Sequence, residues 1–119
     1  MSDNWVECSP LMQLLSGRWT LAVLAELADG GKRYQDIHGA VEGISHKVLT
    51  DTLRRAERDG LLSRRVADDR IATATLYQLT SLARSLDEPL SGIAVWVGLH
   101  WNMVEDKRRR WDSKEDPVI

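Results

Sequence analysis

The sequence predicts a mainly α-helical fold that carries one small β-hairpin and ends in a long helix. Three observations carry that prediction. A capped amphipathic helix over residues 46–59 stops at Gly60. Two β-rich segments follow it at once. Apolar residues then recur at helical spacing from Leu82 to Val104.

Ser9 followed by Pro10 reads as an N-cap with proline at the first helical position, opening an amphipathic stretch that runs to Ser16. Leu11, Met12, Leu14 and Leu15 form its apolar side, and residues 1–8 precede it as an arm. Gly17 interrupts the stretch. A second helix is expected from about Arg18 to Ala28, with Trp19 as a core residue and Val23, Leu24 and Leu27 at helical spacing. Asp29-Gly30-Gly31 ends it. A short third helix covers roughly Tyr34 to Val41, with Tyr34, Ile37 and Val41 facing inward. Glu42-Gly43-Ile44 makes a tight connection, and Ser45 has the character of an N-cap. In the helix that follows, Leu49, Leu53 and Ala56 form one apolar stripe, while Lys47, Thr50, Asp51, Arg54 and Arg55 hold the other face. Leu61-Leu62 anchors the exit.

Residues 63–67 and 73–79 are strand-like, with Asp68-Asp69-Arg70 as a turn between them, which makes a hairpin. Thr80 then caps a final helix starting near Ser81. Its residues Leu82, Leu86, Leu90, Ile93, Val97, Trp101 and Val104 form a near-heptad seam. A second apolar row, Val95, Trp96, Leu99 and Met103, joins it after Pro89, a residue expected to kink or break the helix. One row is enough to dock a helix on its own domain. Two rows suggest a second contact, most simply another copy of the chain. The organisation that results is an arm (1–8), a core (9–80), a long dimerisation helix (81–104) and a charged tail (105–119).

Composition bounds the function. The chain has 119 residues, 43% of them hydrophobic, enough for one domain with a core of its own. Its single cysteine, Cys8, excludes an intramolecular disulfide and a multi-cysteine zinc site. No long apolar run suggests a membrane span, and the first residues lack the apolar stretch of a signal peptide, so a cytoplasmic protein is expected. The formal net charge of −2 is not that of a non-specific nucleic-acid coat. Locally the balance differs. Between Ser45 and Arg70 the cations Lys47, Arg54, Arg55, Arg58, Arg64, Arg65 and Arg70 outnumber the acids Asp51, Glu57, Asp59, Asp68 and Asp69 by two.

The element order, with a short helix, a tight turn and a polar-faced helix followed by a two-stranded ribbon, describes a winged helix-turn-helix with extra terminal helices for dimerisation. A helix fits the major groove of B-DNA, the preceding helix braces it, and the ribbon reaches the neighbouring minor groove. On that reading Ser45, His46, Lys47, Thr50 and Asp51 reach base edges, and Arg54, Arg55 and Arg70 meet phosphate or minor groove. Leu11, Leu15, Leu90, Ile93, Trp96, Val97 and Trp101 hold a homodimer.

Cys8, Gly17-Arg18-Trp19-Thr20, Gly43-Ile44-Ser45, Leu49-Thr50, Leu53-Arg54, Gly60-Leu61, Tyr77-Gln78-Leu79-Thr80, Pro89 and Trp96 together resemble the HxlR-type winged helix-turn-helix regulators. The resemblance covers about residues 8–96. It implies a transcriptional regulator that binds double-stranded DNA as a homodimer on a pseudo-palindromic operator, with the terminal helices forming the dimer contact. Three positions depart from the family pattern. Residues 70–74 lack the wing prolines, the last helix opens Thr80-Ser81-Leu82-Ala83 in place of Thr-Glu-x-Gly, and Cys8-Ser9 stands where the family has Cys-Pro.

The resemblance makes Cys8 a candidate for redox or electrophile sensing, against the alternative of a small packing residue by the dimer contact. His38, His46 and His100 fall on three different helices, so no metal site is expected, and no cofactor. Trp96 and Trp101 suit an interface, or a cavity for a small-molecule effector. No phosphate loop or catalytic triad pattern is present, so an enzyme is not expected. The competing reading is a winged helix that serves as a protein-interaction module without DNA binding.

Overall fold

The computed structural model describes residues 4–66 and 75–114, and the chain divides into two units, Met1–Ser85 and Leu86–Ile119. The first unit opens with two short helices, α1 (Asn4–Glu7) and α2 (Ser9–Leu14). The expected arm is therefore partly helical. Cys8, not Ser9, occupies the cap position of α2, and its side chain makes no capping hydrogen bond. Proline lacks an N–H, so Pro10 leaves one donor fewer to satisfy in that first turn. Helix α3 (Thr20–Glu26) buries Thr20, Val23 and Leu24, and Leu27 is buried just beyond its end. Trp19, expected in the core, is only half-buried beside Gly43, with the Arg18 guanidinium 4.9 Å from its ring centre.

A two-residue strand, β1 (Lys32–Arg33), leads directly into helix α4 (Tyr34–Ala40). Lys32 is tied back to Glu26 of α3 at 2.9 Å. Ile37 and Val41 are fully buried as expected, whereas Tyr34 is half-buried. The chain turns at Gly43, whose φ of +86° suits glycine, and enters helix α5 (His46–Arg58). Ser45 caps that helix by accepting a hydrogen bond from the Val48 amide at 3.1 Å. Leu49, Leu53 and Ala56 form its buried face, joined by Thr52, and pack toward α3 and the sheet. Burying each leucine contributes about 2 kcal/mol relative to leaving it in water.

Two paired hydrogen bonds close the end of α5: the Leu61 amide donates to the Ala56 carbonyl, and the Gly60 amide to that of Glu57. This is a Schellman ending, and it requires the left-handed conformation that Gly60 adopts at φ +79°. Strands β2 (Leu62–Val66) and β3 (Thr75–Leu79) then pair antiparallel, Leu62 opposite Leu79. The expected hairpin is part of a three-stranded sheet of order β1-β3-β2, because Lys32 and Arg33 pair with Tyr77 and Leu76. The turn expected at residues 68–70, and with it Arg70, lies outside the described residues.

Thr80 ends β3 and caps α6 (Ser81–Arg84), accepting from the Ala83 amide at 3.2 Å. Its hydroxyl also donates to the Gly60 carbonyl at 2.6 Å, and its amide donates to the Leu61 carbonyl at 3.0 Å. The single long helix expected from Ser81 is two helices. Helix α6 stops at Arg84, and α7 (Asp87–Asp112) begins after Leu86, with Pro89 in its first turn, where no N–H is needed. The second unit is built on α7, which continues eight residues past the expected end at Val104. There Asp106 pairs with Arg110 at 3.1 Å and with Arg109 at 3.8 Å, at helical spacings that favour the helix. No residue of α7 is buried.

Candidate nucleic-acid interface

Helices α4 and α5, joined by a turn at Gly43, form a helix-turn-helix whose outward face belongs to α5. The Ser45 cap fixes where the first turn of α5 begins, and so places His46, Lys47 and Thr50 at its exposed end. Lys47 is exposed and pairs with Asp51 one turn on, at 2.9 Å. That hydrogen bond, with the Lys47 charge, holds the Asp51 carboxyl below its ordinary range. Arg54, Arg55 and Arg58 are exposed along the rest of the face, with no ion-pair partner among the described residues. They give the helix a positive stripe that the near-neutral composition conceals.

The N-terminal end of this face is more organised than its residue types suggest. Tyr34, from the first residue of α4, brings its hydroxyl 3.0 Å from His46 Nδ1, 3.1 Å from the His46 carbonyl oxygen and 3.3 Å from Thr50 Oγ1. His38, one turn further along α4, stacks on His46 with ring centres 3.8 Å apart and planes within 5°. Sequence spacing separates these histidines onto different helices, and the fold brings two of the three together. Among the described residues, no group of three or more His, Cys, Asp or Glu side chains gathers as a metal site would require.

The sheet meets α5 through a second tie. Arg64 of β2 donates to the Glu57 carboxylate at 2.8 Å, and that carboxylate pushes the Arg64 guanidinium further up from its ordinary value. Between helix and sheet lies a cleft of about 360 Å³ lined by Tyr34, Thr50, Arg54, Glu57, Arg64 and Tyr77. Of the residues expected to contact DNA, Ser45, His46, Lys47, Thr50, Asp51, Arg54 and Arg55 lie on one helix and its cap. Thr50 is half-buried behind the others. Tyr34, His38, Arg58 and Arg64 were not among the expected site residues. The spacing of Tyr34 and His38, four apart on a helix, is the one local signal that could have paired them.

The HxlR-like helix-turn-helix family model matches residues 14–105. The chain belongs to that family. A relative from Methanothermobacter thermautotrophicus, an uncharacterized transcriptional regulator of helix-turn-helix type, is 31% identical over 108 residues, covering 89% of this chain and 82% of the relative. Among solved structures, the redox regulator HypR in its reduced form superposes with a TM-score of 0.73 at 25% identity, covering 82% of this chain and 99% of HypR. Quinone-bound YodB from Bacillus subtilis superposes with a TM-score of 0.67 at 25% identity, covering 78% and 97%. The HxlR-like fold seen here, helical with a small antiparallel sheet, is that of a helix-turn-helix transcriptional regulator. No helix among the described residues is long and apolar enough to cross a membrane.

Proposed function

We propose that the protein is a sequence-specific regulator that binds double-stranded DNA in the cytoplasm as a homodimer on a pseudo-palindromic operator. The observation that carries this reading is the outward face of α5: a capped N-terminal end with polar side chains, then three cations without ion-pair partners among the described residues. Helix α5 enters the major groove. His46, Lys47 and Thr50 approach base edges, while Arg54, Arg55 and Arg58 meet phosphates. Two copies place their α5 helices in successive major grooves, with half-sites about 10 base pairs apart or a multiple of that.

The dimer reading draws on α7 itself. Ile93, Val95, Trp96, Leu99, Trp101 and Met103 are all exposed along it, with Trp96 at 51% and Leu99 at 74%. An apolar surface of this kind on one helix needs a partner. The signal enters through Cys8, which is exposed at the start of α2, or through a small-molecule effector. The likeness to HypR and to quinone-bound YodB favours an oxidant or electrophile.

Fluorescence anisotropy on duplex DNA from upstream of the protein's own gene, across a salt series and with an unrelated duplex as control, tests the reading. Tight binding that prefers the upstream duplex and falls steeply with salt is expected. A folded dimer that binds neither duplex at low salt would leave a protein-interaction module as the better account.

A further inference from the structure

The Tyr34 hydroxyl has more partners than protons. A phenol carries one hydrogen and otherwise accepts through its oxygen. The His46 carbonyl has no hydrogen to give, so the 3.1 Å contact is a bond only if Tyr34 donates to it. Tyr34 Oη must then accept from both remaining neighbours, His46 Nδ1 at 3.0 Å and Thr50 Oγ1 at 3.3 Å. A neutral imidazole that carries its hydrogen on Nδ1 has a bare lone pair on Nε2. Thr50, with its hydrogen directed at Tyr34, likewise offers only lone pairs to anything in front of it. His38 limits the remaining freedom, because its ring lies flat against that of His46 at 3.8 Å.

We propose that Tyr34 and His38 are positioning residues that fix His46 as a hydrogen-bond acceptor, making α5 select an amino-bearing base at one half-site position. The inference rests on the DNA-binding reading above. In the major groove adenine offers its N6 amino group and cytosine its N4 amino group, while guanine and thymine offer keto oxygens. A bare Nε2 is complementary to the first pair. Against the second pair it sets two lone pairs face to face. Thr50 stands one helical turn behind His46 with the same polarity but is half-buried, so the choice of adenine or cytosine over guanine or thymine falls to His46.

Two measurements on the full chain test this. The first is ¹⁵N NMR of the imidazole nitrogens in the free protein at about pH 8, where an ordinary histidine is neutral. His46 is expected to be protonated on Nδ1 and bare on Nε2. Tyr34→Phe removes only the hydroxyl and is expected to move His46 toward the Nε2-protonated form. The second is selection of binding sites from a duplex pool randomised over the half-site. The wild type is expected to favour adenine or cytosine at one position by roughly tenfold. Tyr34→Phe and His46→Ala should each lose that preference while keeping the rest of the site, and the double variant should lose nothing more. A wild-type His46 protonated on Nε2, or an unchanged preference in Tyr34→Phe, overturns the proposal. A wild type that selects no sequence overturns the DNA-binding reading itself, which the NMR result alone does not touch. Were Tyr34→Phe to misfold, the wild-type spectrum and His46→Ala would still decide.

Discussion

Replacing Ser45 by alanine removes the one side chain that caps α5. Its Oγ accepts from the Val48 amide at 3.1 Å, and the residue is exposed, so water takes over part of the lost bond. The cost is therefore near the middle of the range for N-caps, about 1 kcal/mol. For a chain of this size that lowers the melting temperature by about 4 °C. The frayed turn is the one that holds His46 and Lys47. If DNA binding requires that turn to be formed, specific affinity falls by at most about fivefold. Two further variants separate the effects. Ser45→Gly should cost only a few tenths of a kcal/mol. Ser45→Asp should keep the cap and the melting temperature, yet bind DNA less tightly because its carboxylate faces the phosphates. Scanning calorimetry and anisotropy on the same samples give both quantities. An alanine variant that melts with the wild type would refute the idea that the cap holds this helix end.

Lys47→Ala and Arg54→Ala should each weaken DNA binding, and Arg54→Ala, which loses a phosphate contact, should lower the salt slope by about one unit, read from anisotropy across salt. The Lys47–Asp51 bond has its own signature. Asp51 is held below its ordinary value of 3.8, so its contribution is full above that pH and fades as pH falls through the lowered value. In Lys47→Ala the Asp51 carboxyl should titrate higher by ¹³C NMR. Trp96→Glu should shift the protein from dimer to monomer in sedimentation, because it places a charge in the exposed apolar row of α7. A Trp96→Glu chain that still sediments as a dimer would move the interface off this helix face. Gly60→Ala should destabilise by about 1 kcal/mol or more in denaturant titration, because φ at this residue is +79°.

Helix α5 was legible in the sequence because each of its signals is local: a serine at the start, a stripe of Leu49, Leu53 and Ala56, and a glycine at the end. The hairpin strands were legible for the same reason. Strand β1 was not. Two residues show no periodicity, and Lys32 and Arg33 become a strand only by pairing with β3 more than forty positions away. Residues 81–104 carry a continuous apolar seam, which hid the break between Arg84 and Asp87. Pro89 gave the clue, but proline marks a helix start as readily as a kink, and here it sits in a first turn. Ser9 was a plausible cap displaced by one residue, since proline is tolerated through the first helical turn. Most of the candidate site lies on α5 and was therefore readable. Its organisation was not, because Tyr34 and His38 reach His46 only after the turn at Gly43 folds α4 onto α5.

The Thr80 hydroxyl gives one proton to the Gly60 carbonyl and receives one from the Ala83 amide. The end of α5 and the start of α6 thus share a single oxygen, with the last residue of the sheet between them. Displacing Thr80 therefore costs both ends a hydrogen bond. In hydrogen exchange, the amides of Leu61, Thr80 and Ala83 should therefore open together, as one cooperative unit with one free energy. Helix α5, which we propose faces DNA, is then not a free reading head. Its far end is clamped, and whatever loosens the first turn of α6 also loosens the last turn of α5.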